Sequence, residues 1–120
     1  MTQGKFLLKF DIIGTVTKIE ELTKKVIDFR NKRGWAKGAA IAPKNMAIAL
    51  LLEAAEFLEI FEWTKDNNIP QDKREEFEEE LVDVLYWVLT IAHDYNIDLE
   101  KAFNKKMKKN KKKYPVDNLP

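Results

Sequence analysis

Two stretches of this chain are apolar on nearly every side and still carry carboxylates, which limits sharply what the chain can fold into. Residues 50–63 read LLLEAAEFLEIFEW and residues 81–92 read LVDVLYWVLTIA. An ideal helix turns about 100° per residue, so, with Glu53 as zero, Met46, Ala49, Phe57, Ile60 and Trp63 fall between about 280° and about 40°. Glu56, at about 300°, falls in the middle of the same sector. Leu51 and Ala55 lie on the opposite side with Glu59 and Glu62, so the helix is apolar almost all round and should be buried almost all round. Glu53 and Glu56 are then carboxylates on a core-facing surface, where an unpaired charge is costly.

The second run repeats the pattern. Asp83 is its one charge, Glu80 precedes it by one turn on the same side, and Glu76 extends the line. A short connection, KDNNIPQD (65–72), rich in turn-forming residues, makes the two helices antiparallel neighbours. Packed face to face, Glu53-x-x-Glu56 and Glu80-x-x-Asp83 would bring four carboxylates to one place. Charges of one sign that close stay ionised together only beside a cation. All four donors are oxygens, and the chain has no cysteine and a single histidine, His93, so a hard ion such as Mg²⁺, with Mn²⁺ as an alternative, suits the set better than zinc. The competing reading is that Glu-x-x-Glu is common on solvated helices and that REEFEEE (74–80) is a wet helix start favoured by the helix dipole. Glu76 and Glu80 taken alone fit that reading; Glu53 and Asp83, set among apolar neighbours, do not.

The rest of the chain supplies the frame. Val16, Ile19, Leu22, Val26 and Phe29 recur at spacings of three and four, which predicts an amphipathic helix over 16–32 with Thr15 or Thr17 as its cap. RGWAKGAAIAPK (33–44), with two glycines and a proline, predicts an irregular segment. The second helix is expected from about Lys44 to Thr64 behind Pro43, the third from about Asp72 to Tyr95, and the fourth over 99–113 with Asp98 as N-cap, ended by Pro115. The domain is thus expected over 16–115, with an N-terminal arm at 1–15 and a tail at 116–120. Four helices with short connections predict an all-α bundle.

With 120 residues the chain fits one small domain and is short enough to gain from oligomerising. Its 21 basic and 20 acidic residues nearly cancel, which argues against a nucleic-acid binder driven by bulk charge. No run approaches the ~18 apolar residues of a membrane span, and the opening MTQGKFLLKFDIIG lacks the apolar core of a signal peptide. A cytoplasmic, membrane-free protein is expected.

Beyond the four acids, EAAEFLEIFEW, the PKN at 43–45, and Lys106, Asn110, Tyr114 and Pro115 in the pattern Lys-x-x-x-Asn-x-x-x-Tyr-Pro together resemble MazG-type nucleotide pyrophosphohydrolases of the all-α NTP pyrophosphatase superfamily. The resemblance covers roughly residues 16–115 and is closest to the small single-domain branch that includes dCTP pyrophosphatases. It implies a four-helix bundle of the MazG type, subunits assembled as a homodimer or a dimer of dimers, and Mg²⁺-dependent cleavage of nucleoside triphosphates to the monophosphate and pyrophosphate, in the service of deoxynucleotide pool cleaning. One departure stands out: the lead-in GWAKGAAIAPKN keeps Trp35 but lacks the histidine that the branch often places before Pro-Lys-Asn.

Under this reading Glu53, Glu56, Glu80 and Asp83 hold one or more metal ions and carry the catalytic step, and one of the glutamates, with Glu59 as a further candidate, could serve instead as general base. Trp63 and Trp35 are candidates to stack on the base, though Trp63 at the end of an apolar helix fits core packing too. Trp87, on the side of Asp83, fits either a pocket wall or a subunit contact. Lys44 and Asn45 are candidates for contact with the base or sugar, and Lys106, Asn110, Lys113 and Tyr114 for the phosphates, although seven lysines between 105 and 113 are mostly a solvated face. The alternative is a non-catalytic helical interaction module whose basic last helix binds nucleic acid or an acidic partner; a lone acid inside a twelve-residue apolar run speaks against it.

Overall fold

A computed structural model describes residues 18–118. Four helices make up its frame: α1 (Lys18–Lys32), α2 (Pro43–Glu59), α3 (Arg74–Asp94) and α4 (Leu99–Lys113), with short 3-10 turns at Gly38–Ile41, Gln71–Lys73 and Val116–Asn118. No strand occurs among the described residues. The all-α architecture is as expected. Both threonines considered as caps of α1, and the N-terminal arm, lie outside the described residues.

α1 ends in a motif legible in FRNKRGW. Gly34 takes a left-handed φ of 68°, its amide donates to the Asn31 carbonyl at 3.1 Å, and the Trp35 amide reaches back to the Arg30 carbonyl at 3.2 Å. This is the Schellman arrangement, and the apolar contact that commonly accompanies it is present: the Phe29 and Trp35 rings meet edge-to-face at 5.8 Å. α3 ends in the same way with Asn96 at φ 55°, the Ile97 amide donating to Ala92 at 2.8 Å. The Asp98 carboxylate accepts from the Lys101 amide at 3.1 Å, so Asp98 caps α4 as its position predicted.

α2 starts at Pro43, whose missing N–H costs nothing in a first turn. It stops at Glu59, five residues short of the expected Thr64. The amides of Phe61 and Glu62 bond three residues back, to Leu58 and Glu59, and both the amide and the hydroxyl of Thr64 donate to the Phe61 carbonyl. Tightening to three-residue bonds ends the α geometry, and Ile60 is buried within the tightened turn.

α2 and α3 form the main contact of the fold and α3 also packs on α1. Phe57 meets Phe77 at 5.1 Å between ring centroids, while Glu53, earlier in α2, lies with Glu80 and Asp83, later in α3. The two helices are therefore antiparallel. Met46, Ile60, Leu89 and Ala92 are buried in the core, with Ile27 of α1. The Arg30 guanidinium is buried as well, paired in two hydrogen bonds of 2.7 and 2.9 Å with the Asp94 carboxylate. Removing one partner of such a pair costs about 3–5 kcal/mol because the other charge is left uncompensated. α4 has no buried residue: its apolar residues Phe103 and Met107 face outward in the single chain.

Candidate active site

The antiparallel register of α2 and α3 decides the site. Glu53 on α2 and Glu80 and Asp83 on α3 each offer a carboxylate oxygen within 4.8 Å of the others. Glu53 and Glu80 are half-buried and Asp83 is exposed. One oxygen of Glu53 and one of Glu80 are buried with no hydrogen-bond partner. Burial pushes the Glu53 carboxyl above the usual carboxylate range, and the neighbouring charges of Glu56, Asp83 and Glu80 push it further. Glu80 is raised in the same way, first by burial and then by Glu56, Asp83, Glu76 and Glu59. Buried polar oxygens are rarely left without a partner, and two such oxygens converging with a third carboxylate fit a small oxygen-seeking cation. Glu56 is exposed and stands outside the three-oxygen set, although its charge is felt by both Glu53 and Glu80.

Beside the acids opens a cleft of about 410 Å³ lined by Lys25, Val26, Phe29, Trp35, Glu53, Asp83, Tyr86 and Trp87. Its far wall is a chain of edge-to-face aromatic contacts, Trp35 to Phe29 at 5.8 Å, Phe29 to Tyr86 at 6.4 Å and Tyr86 to Trp87 at 5.1 Å. The Arg33 guanidinium lies over the Phe29 ring, 3.6 Å from its centroid. Burial pushes the Tyr86 hydroxyl up from its ordinary range, partly offset by Arg30 and Arg33, so it stays a neutral donor and acceptor. Lys25 is the cation among the lining residues.

Of the sequence-derived candidates, the structure brings together Glu53, Glu80, Asp83 and Trp35, with Glu56 at the edge and Trp87 in the cleft wall. Trp63 does not join them in the single chain. The angle that placed it beside Glu56 assumed that α2 continued, and in the tightened turn its side chain is 87% exposed. The Asn45 amide donates to the Ala39 carbonyl at 2.9 Å, which engages it in holding the 3-10 turn before α2. Lys44 is exposed at the start of α2. Lys106, Asn110, Lys113 and Tyr114 lie on or just after α4 and do not line the cleft of the single chain. Lys25, Phe29 and Tyr86 were not among the sequence-derived candidates. Phe29 shows only as part of the amphipathic face of α1, and nothing in its periodicity marks it as facing a cleft instead of a core.

The sequence profile of the MazG-like family matches residues 48–119, a span that contains both acidic pairs. The chain belongs to the MazG-like family. Among MazG-like relatives, a protein from Mus musculus named dCTP pyrophosphatase 1 is 31% identical over 103 residues, covering 82% of this chain and 59% of the relative. Its counterpart in Homo sapiens is likewise 31% identical, with the same coverage. The chain thus spans about three fifths of the length of these curated relatives. The crystal structure of a pyrophosphatase from Archaeoglobus fulgidus superposes with a TM-score of 0.73 at 39% identity, covering 81% of this chain and 92% of that one. The MazG-like fold is therefore shared along most of the chain, including the helices that carry the acids.

Proposed function

We propose that this protein is a divalent-metal-dependent nucleoside triphosphate pyrophosphohydrolase that cleaves the bond between the α- and β-phosphates, releasing a nucleoside monophosphate and pyrophosphate. The observation that carries the reading is the convergence of Glu53, Glu80 and Asp83, with two buried, unpartnered oxygens, beside an aromatic cleft. Relatives named dCTP pyrophosphatase and a solved pyrophosphatase at 39% identity support it. Deoxynucleotides, cleared from the pool, are the substrates this branch suggests.

Glu53, Glu80 and Asp83 would hold the ion, Mg²⁺ or Mn²⁺ by the hardness of the donor set. When bound, it supplies the positive charge that lets a triphosphate approach four carboxylates. The aromatic wall of Trp35, Phe29, Tyr86 and Trp87 would take the nucleobase, because stacking on an aromatic face is worth about 1–3 kcal/mol per base. Lys25, the cation of the cleft lining, would meet the phosphate chain. Glu56, exposed and outside the three-oxygen set, is the carboxylate free to take the proton of a water attacking the α-phosphorus, whose bond to the bridging oxygen then breaks toward pyrophosphate.

The test is incubation with a panel of dNTPs and NTPs in Mg²⁺ or in EDTA, with products separated. Monophosphate and pyrophosphate in equal amounts, abolished by EDTA, are expected. A panel that yields no monophosphate in Mg²⁺ or Mn²⁺ would overturn the proposal.

A further inference from the structure

The cleft wall that carries Trp35 is held from a place the acids do not touch. Trp35 lies in the irregular segment between α1 and α2, and that segment is flanked by two fastenings, one from Arg30 in the last turn of α1 and one at Ile41, to two consecutive residues at the end of α3. On one side, Arg30 hydrogen-bonds Asp94 through both terminal guanidinium nitrogens, at 2.7 and 2.9 Å, with side chains almost fully buried. On the other, the Tyr95 hydroxyl donates to the Ile41 carbonyl at 3.0 Å. Among the described residues every other hydrogen bond between two side chains joins positions four apart in one helix. The Arg30–Asp94 bond, spanning 64 positions, therefore does something local pairing does not.

Arg30 acts twice. Its side chain grips α3, and its carbonyl accepts the Trp35 amide at 3.2 Å. A shift of Arg30 therefore moves Trp35 directly. Stability does not require a buried charge pair at this point, since an apolar pair of the same volume often serves as well or better. What the pair adds is direction: a two-pronged bond between planar groups fixes orientation as well as distance.

We propose that Asp94 and Tyr95 form a two-point clamp on residues 30–41, and that Arg30, Asp94 and Tyr95 are positioning residues that hold Trp35 at its place in the aromatic wall with Phe29, Tyr86 and Trp87. The clamp sets how tightly a nucleobase is gripped and leaves the phosphate chemistry at the acids alone. This rests on the nucleotide reading of the cleft given above.

Two variants separate the clamp from general stability. Tyr95→Phe removes one hydroxyl from a half-exposed ring. The double variant Arg30→Met with Asp94→Leu removes both charges while keeping apolar volume, so that no uncompensated charge is left. Amide exchange in residues 33–42 is expected to rise about fivefold in Tyr95→Phe, the worth of one hydrogen bond, and at least as much in the double variant, with exchange in α2 and the first half of α3 unchanged in both. KM for the best triphosphate is expected to rise about fivefold, with kcat within about twofold of wild type. Unchanged exchange in 33–42, or exchange raised equally throughout α2 and α3, would overturn the clamp. A loosened segment with unchanged KM would overturn its role in positioning Trp35. Should the wild type hydrolyse no triphosphate, the activity reading fails by itself, and the exchange measurement still decides the clamp.

Discussion

Glu53 is a residue whose ionised form has little to favour it until a cation arrives. Burial and the charges of Glu56, Asp83 and Glu80 raise its carboxyl above the ordinary 4.5, and Glu80 shares the shift. A folded-state value above the unfolded one means that the folded protein holds the proton more firmly. The corresponding stability is fully present below 4.5 and is lost as pH rises through the raised value. In EDTA, Tm is therefore expected to fall as pH rises upward from about 4.5, and Mg²⁺ is expected to offset the fall by binding the ionised set. Glu53→Gln keeps the shape and removes the charge. It should flatten this slope, leave Tm in EDTA unchanged or higher, and lower kcat by at least about 100-fold. Melts from pH 4.5 to 7 in EDTA check the first part. A variant with the wild-type slope would show that Glu53 is not a contributor.

At the scale of the element, α1 is the part whose ending matters more than its body. Its Schellman turn sets the exit of the chain and places Trp35 on Phe29, and the turn depends on Gly34 at φ 68°. A methyl group at Gly34 meets no atom within 4 Å, so space is not the obstacle. The obstacle is the backbone, because a left-handed φ is strained for a residue with a Cβ. Gly34→Ala is expected to lower stability by about 1 kcal/mol, a fall in Tm of about 4–8 °C, by calorimetry or circular dichroism. An unchanged Tm would mean that the turn has another route. α4 shows the opposite economy: it is capped well by Asp98 and carries Lys111, Lys112 and Lys113 in its last turn, where they complement the dipole, yet it buries nothing within the chain.

At the scale of the whole molecule, apolar surface is left over. Leu51, Leu52 and Leu58 on α2 are exposed by 67%, 57% and 69%, and Phe103 on α4 faces outward too. Leu51 and Leu58 lie on the side of α2 away from Glu53, with Leu52 on its flank, so the helix that is apolar all round covers only part of its surface within one chain. A patch of that kind marks an interface. A homodimer or homotetramer that covers it is the proposal consistent with the family resemblance. Sedimentation should give a dimer or larger, and Leu51→Glu with Leu58→Glu should shift it toward the monomer. A well-behaved wild-type monomer at micromolar concentration would contradict this. Among the described residues no helix is long and apolar enough to cross a membrane.

Periodicity and spacing by themselves determined that the chain is helical and where α3 and α4 lie to within two residues. They also put Glu53, Glu56, Glu80 and Asp83 in one place, of which the structure groups Glu53, Glu80 and Asp83 and leaves Glu56 exposed beside them. Those inferences follow from the 100° turn of a helix and from the cost of an unpaired carboxylate on an apolar face, both of which act within a single element. The tertiary structure alone decided which aromatic residues line the cleft. Trp63 and Trp35 are both base-stacking candidates by sequence, but three-residue hydrogen bonds end α2 at Glu59 and leave Trp63 outside, whereas a left-handed glycine folds Trp35 back onto Phe29. It alone showed, too, that Arg30 and Asp94, 64 positions apart, meet in a buried pair. Contacts of that separation depend on how helices are set against one another, and no pattern confined to one helix encodes them.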